Sequence, residues 1–248
     1  MSAKHLLGMC HFTTGDYARA STLLSEVLPA RSDNVGLYYT LSLSLIKQGK
    51  VNEATEIIRR MLTTNGDSAQ VHILLGQAHH ARNEDQKALE ELKKASEMDS
   101  RVPMAHYYCG LIYIKMGKFD EAAREFEAEL GVNPKDVDAK YHLAFVLLSG
   151  RQTDRGMKLM REVIALKPDY ADARFELGKA LLGQGDLKGA IETLEAAVKL
   201  GPDKAHIHYQ LGRAYTAAGR EADAQRCFDI YKQLKDRERD RGNPTTDK

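Results

Sequence analysis

The side chains in this 248-residue chain best equipped for chemistry are nine histidines, three cysteines and a few adjacent carboxylates. Histidine ligates metals and moves protons near neutrality, so spacing decides what it can do. His72 and His79 are seven residues apart. At about 1.5 Å per residue that is roughly 10 Å along a helix, too far to share one ion. His79 and His80, like His206 and His208, point in different directions on a helix. There is no HExxH, and His11 and His79 occupy a phase held elsewhere by Leu45, Tyr113 and Tyr215, so they read as core-edge residues. No metal site is expected. Cys10, Cys109 and Cys227 form no CxxC pair, and an odd count does not build a disulfide framework. Cys109 stands at an apolar phase and reads as a small buried residue. The carboxylates Glu90, Glu91, Glu127 and Glu129 read as a solvated helix face. Gly-rich phosphate loops and a GxSxG elbow are missing. The expectation is therefore a non-catalytic chain without a cofactor.

Composition narrows the partners. The formal net charge is +1, which gives no electrostatic case for nucleic acid or an anionic membrane surface. No apolar run reaches the roughly 18 residues of a membrane span, so no membrane insertion is expected. The N-terminal "MSAKHLLGMCHF" lacks the apolar core and cleavage site of a signal peptide. A cytoplasmic location is favoured on that basis, with the periplasm open if a signal has been removed. The use of Ala, Leu, Gly and Arg looks bacterial. Strand-like runs are missing, which points to helices throughout.

The elements that carry these residues follow one period. Leu-Gly occurs at Leu7-Gly8, Leu75-Gly76, Leu177-Gly178 and Leu211-Gly212, always separated by multiples of 34 residues. Leu41-Ser42, Cys109-Gly110 and Leu143-Ala144 fill the gaps. Twelve residues after the small residue of each pair comes another small one: Ala20, Ala54, Ala88, Ala122, Gly156, Ala190 and Ala224. Four residues further stands a large apolar one: Leu24, Ile58, Leu92, Phe126, Met160, Leu194 and Phe228. Seven copies span 1–34, 35–68, 69–102, 103–136, 137–170, 171–204 and 205–238. Each copy reads as two amphipathic helices. Between them lies a turn at Gly15, Gly49, Gly117, Gly185 or Gly219, with Asn83 and Arg151 in the remaining copies. Glycine there suits a helix end that needs a positive φ. Pro134, Pro168 and Pro202 stop the second helices. The small positions let two antiparallel helices approach closely.

From Met1 to Glu238 the pattern resembles the tetratricopeptide repeat (TPR) family. The fourth copy carries it best, with Cys109-Gly110, Tyr113, Gly117-Lys118-Phe119, Ala122, Phe126 and Pro134. The family's early Trp is replaced by Tyr38, His72, His106, Lys140, Arg174 and His208. The resemblance implies an all-α, right-handed superhelical solenoid of antiparallel helix pairs, about 14 helices, with first helices lining a concave face. The family's carboxylate clamp of Lys, Asn and Arg is not matched, since its phases hold His5, Met9, Thr40, Gln70 and Leu74. Nor is there an Asn ladder: that phase reads Leu6, Thr40, Leu74, Tyr108, His142, Glu176 and Gln210.

The groove-facing phases that the resemblance implies name the candidate site. They give Tyr39, Leu43 and Ile46 in the second copy, Tyr107, Leu111 and Ile114 in the fourth, and Tyr141, Phe145 and Leu148 in the fifth. Phe175, Lys179 and Arg213 continue the stripe, and Arg174 joins Lys179 and Arg213 as a basic end able to meet an acidic flank. Contiguous apolar surface marks an interaction site, so the expected partner is a protein or peptide offering an apolar or amphipathic segment. The fifth copy, with Ala144 for Gly, is the expected centre. Two other readings stand beside this one, a regulatory or targeting segment of a larger enzyme or assembly, and self-association. Nucleic-acid binding is disfavoured because copy charges stay between −2 and +2. At the ends, Leu6, Leu7, Met9 and Phe12 lack a covering neighbour, which is expected if the chain is cut from a longer one or pairs there, and equally if the first unit simply frays. Glu221 and Lys232 place polar groups at the other end, and 239–248 reads as a charged helical extension with a disordered tail.

Overall fold

The structure, a computed structural model, describes residues 3–150 and 152–242. Arg151 at the fifth turn and the tail 243–248 lie outside the described residues. Two compact units divide the chain, Met1–Pro134 and Lys135–Lys248, where the period alone draws one array. The first unit holds α1 (Ala3–Thr13), α2 (Tyr17–Val27), α3 (Val35–Lys47), α4 (Val51–Asn65), α5 (Ala69–Ala81), α6 (Asp85–Met98), α7 (Ala105–Lys115) and α8 (Phe119–Val132). A 3₁₀ turn, Leu28–Ala30, follows α2. The second unit holds α9 (Val137–Ser149), α10 (Thr153–Leu166), α11 (Ala171–Gly183), α12 (Leu187–Leu200), α13 (Ala205–Ala217) and α14 (Glu221–Gly242). No strand occurs among the described residues.

Local chemistry sets the boundaries. Asp16, Asn34, Asp136 and Asp186 accept backbone N–H bonds at the starts of α2, α3, α9 and α12, satisfying donors that a helix start leaves open. The turns close in one way: Gly117 N donates to Ile114 O and Lys118 N to Tyr113 O, both at 2.9 Å. This brings Gly117 to φ +71 and, in the third copy, Asn83 to +60, conformations that Gly and Asn adopt most readily. The helices α8, α10 and α12 each end two residues before Pro134, Pro168 and Pro202. At the C-terminus the charged run 235–241 continues α14 as a helical extension.

Each pair is locked by a small residue on its first helix facing a large one on its second. A Cβ on Gly110 would lie 2.6 Å from Cζ of Phe126, and one on Gly178 would lie 2.6 Å from Cγ of Leu194. Gly8 against Leu24, Gly76 against Leu92 and Gly212 against Phe228 repeat the contact. The facing Leu24, Leu92, Phe126 and Leu194 are fully buried. Where the small residue has a Cβ, as Ser42 and Ala144, the matching residue is Ile58 or Met160 rather than Leu or Phe.

Within each unit the pairs stack, α2 on α3, α4 on α5 and α6 on α7, then α10 on α11 and α12 on α13. The first helices also touch one another, α1 with α3, α3 with α5, α5 with α7, and α9 with α11, α11 with α13. They therefore line one face of each unit.

Overpacking a filled contact typically costs about 1–3 kcal/mol, so Gly110→Ala is expected to lower the urea midpoint. Gly131 sits in α8, and a Cβ added there would meet nothing within 4 Å. Gly131→Ala is expected to raise stability by about 0.5–1 kcal/mol. Equal effects of the two substitutions would show that the close contact is not what constrains Gly110.

Candidate functional site

On the first unit, α1, α3, α5 and the segment before α7 enclose an open cavity of about 530 Å³. His5 and Met9, Tyr39 and Thr40, Gln70 and Ile73, and Val102 to Met104 line it. Of these, only Tyr39 belongs to the candidate stripe named from the sequence. Among the described residues no Lys, Arg, Asp or Glu contributes to the lining. Burial raises the Tyr39 phenol above its usual value, so this wall stays neutral. Tyr39 and Ile46 are half-buried and pack on the core, whereas Leu43 is only 9% exposed and belongs to that core. Leu43 therefore leaves the groove stripe, because it is enclosed by the same cluster that buries Leu41 and Leu45. Tyr107, Leu111 and Ile114 on α7 are half-buried, with the Tyr107 ring edge-on to Phe126 at 5.9 Å.

The face of the second unit has its own chemistry. Tyr141 stacks on Tyr170 at 4.9 Å, and Lys167 Nζ lies 4.6 Å from the Tyr170 ring centroid. Burial raises both phenols, that of Tyr170 to about 12. Phe145 and Leu148 are half-buried on α9, the first helix of this unit. A Cβ on Gly156 would lie 2.8 Å from Cγ of Leu148, so Leu148 rests on α10 through the Gly that replaces Ala there. Leu148, Glu176, Lys179 and Gln184 border an opening of about 310 Å³. The basic end is partly spoken for within the fold. Lys179 pairs with the buried Glu176 at 2.5 Å and lies 5.4 Å from the centroid of Phe175. Arg174 donates to Pro168 O, and exposed Arg213 reaches Gln210 at 3.4 Å.

The residues set aside as chemistry are put to structural use. His72 Nδ1 meets Glu91 Oε2 at 2.6 Å, and 34 residues on His106 Nδ1 meets Glu125 Oε2 at 2.7 Å. His79 and His80 bond Glu84 and Asp85, and Lys115 joins Asp85 at 2.7 Å. Lys94 and His72 bond the Glu91 carboxylate and outweigh its partial burial, holding it below the usual range. The expectation of a solvated carboxylate face thus fails twice, at half-buried Glu91 and at Glu129, which is fully buried. Glu129 accepts from Met104 N at 2.9 and 3.0 Å and from Tyr107 N at 3.2 Å, capping α7 from α8. A sequence signal was present, since Val27, Met61, Ala95, Val163, Ala197 and Tyr231 hold that phase elsewhere. Cys109 is buried and its thiol is pushed up to about 12 by desolvation. Among the described residues no cluster of three or more His, Cys, Asp or Glu could hold a metal, and no helix is long and apolar enough to cross a membrane. On α1, Leu6 is 52% and Leu7 50% exposed, while Met9 and Phe12 are half-buried.

The family model for the C-terminal ARM domain of tetratricopeptide repeat protein 21 matches residues 3–180, well over half of the chain, and a tetratricopeptide repeat model matches 181–237. The chain is a tetratricopeptide repeat protein. TPR proteins of known structure that resemble it include YrrB, described as having an unusual peptide-binding site. YrrB is 25% identical with a TM-score of 0.61, over 71% of this chain and 91% of that one. MamA of Desulfovibrio magneticus RS-1, from residue 41 to its end, is 26% identical with a TM-score of 0.65, over 68% and 96%. PilF of Pseudomonas aeruginosa, at 18% identity, shares the fold with a TM-score of 0.74 over 83% and 93%. No curated protein matches the chain by sequence. The TPR fold places this protein among protein-interaction scaffolds.

The His106 pair gives a test of the electrostatics. Its hydrogen bond to Glu125 raises the His106 pKa above 6.5 despite opposing burial. A raised folded value means stability fully present below the unfolded pKa and lost as pH rises through the folded one. His106→Gln should therefore lower Tm more at about pH 5.5 than at about pH 8.5, on either side of the free-histidine value. An equal loss at both pH values would remove the charge from the account.

Proposed function

We propose that this TPR protein is a non-catalytic scaffold whose first-helix faces capture a segment of a protein partner through apolar side chains. The carrying observation is the half-exposed apolar stripe on those faces. It comprises Tyr39, Ile46, Tyr107, Leu111 and Ile114 in the first unit and Tyr141, Phe145, Leu148 and Phe175 in the second. Half-burial suits such a role: packing on the core fixes the rings, and the remaining surface is available to bind. The cavity beside Tyr39, without Lys, Arg, Asp or Glu among its described lining residues, supports the same reading. So does the peptide-binding site of YrrB, a relative of the same fold at 25% identity. An amphipathic helix or an extended segment would lay its apolar residues on the stripe. Exposed Arg213 would meet an acidic residue flanking them.

Selection from a displayed random-peptide library tests this. The wild-type chain should enrich peptides bearing large apolar residues. Leu111→Ser and Phe145→Ser should abolish enrichment for their own unit while the helical circular dichroism persists. Unchanged enrichment combined with lost stability would make these side chains core and end the proposal.

A further inference from the structure

We infer that the cavity of the first unit is a socket for one bulky, uncharged side chain of the partner segment, aromatic or long aliphatic, and that Glu129 is the positioning residue that sets its wall through Met104. This rests on the proposed reading of the inner face as the partner-binding surface. At about 530 Å³ the cavity falls within the roughly 300–1,000 Å³ of pockets that engulf small ligands. Its floor is apolar, with Ile73 and Val102 almost wholly buried. Methionines stand on two sides, Met9 from α1 and Met104 before α7, both half-buried. A thioether chain is flexible and reshapes around varied apolar groups. A charged guest would shed its water and find no Lys, Arg, Asp or Glu among the described lining residues to meet it.

The wall is built unusually. Met104 has φ +77, a backbone conformation that residues with a side chain rarely adopt and that persists only where its surroundings impose it. Glu129 does so, with both carboxylate oxygens on Met104 N and one also on Tyr107 N. At this phase every other copy has an uncharged residue, and none of them offers the two oxygens of a carboxylate. A buried carboxylate is costly unless fully bonded, and this one is spent on holding the segment at the cavity rim. α7 begins two residues later than the repeat period places it, so Pro103 and Met104 join Val102 outside the helix as the rim.

The test uses the whole ¹⁵N-labelled chain titrated with N-acetyltryptophanamide, N-acetylleucinamide, N-acetylalaninamide and N-acetyllysinamide. The first two should shift the amides of Tyr39, Ile73 and Met104, and the alanine and lysine probes should not. Glu129→Gln places an amide NH₂ against backbone donors, so the rim should move. Tryptophan-probe affinity should fall about tenfold, the scale of a misshapen apolar pocket, and the tryptophan-to-leucine ratio should change with it. Met104→Gly suits the positive φ and should keep or raise Tm, yet it should change the same ratio by removing the wall. A merely structural role for Glu129 would weaken both probes alike. If no probe shifts these amides, or if the lysine probe binds as the leucine probe does, the socket is overturned, whatever the peptide selection on Leu111 and Phe145 shows. If the probes bind and both variants keep the ratio, the role of Glu129 and Met104 is overturned.

Discussion

The structure depends on one contact made again and again, a missing or minimal side chain on a first helix receiving a large one from the second. At Gly110 and Gly178 the receiving backbone lies so close that a single added carbon would sit 2.6 Å from the partner. Dispersion attraction is short-ranged, so closing two helices to this distance fills the space between them without a long side chain from each. The same contact fixes how far apart the helices of a pair stand. That spacing sets which phases are sealed, which touch the next pair, and which are left on the face of the first helices. The two copies with a Cβ at this point answer with Ile58 and Met160, a matched change of shape rather than a vacancy.

Once the pairs are locked, the remaining phases are free to differ. The phase of the family's Trp is rebuilt copy by copy. Tyr38 is buried, His72 and His106 pair with glutamates of the second helix, Lys140 reaches Glu162, and Arg174 and His208 bond the carbonyls of Pro168 and Pro202. Polar side chains can stand there because each has a partner, which is the condition for burying them at little cost. The inner phases, by contrast, keep half-exposed groups at Tyr39, Leu111, Phe145 and Phe175, although Leu43 and Ile73 are sealed.

The helices, their turns and the close contact were legible in the sequence because all three recur at one period, and a repeated constraint leaves a repeated residue. What was hidden depends on single tertiary meetings. Leu43 shares a phase with Leu111 but is closed over by its own cluster. Leu148 looked like pure groove until Gly156 on α10 gave it a place to rest. Glu129 carried a visible anomaly, a carboxylate in an otherwise uncharged column. A rule that places carboxylates in water hides its role. The donors it serves are exposed because α7 starts only at Ala105, with Met104 at φ +77 just ahead of it. The cavity itself assembles three first helices and this delayed rim, so no single stretch of sequence announces it.

The most direct test of the close contact is a double-mutant cycle of Gly178→Ala and Leu194→Ala in the whole chain. It is read by amide hydrogen exchange of α11 and α12, since repeat arrays need not unfold as one unit. With Leu194 present, the added methyl should cost about 1–3 kcal/mol. With Leu194 shortened to Ala, that cost should largely vanish, giving a coupling on the order of 0.5–3 kcal/mol. The same cost in both backgrounds would contradict the account, because the methyl would then be meeting something other than Leu194.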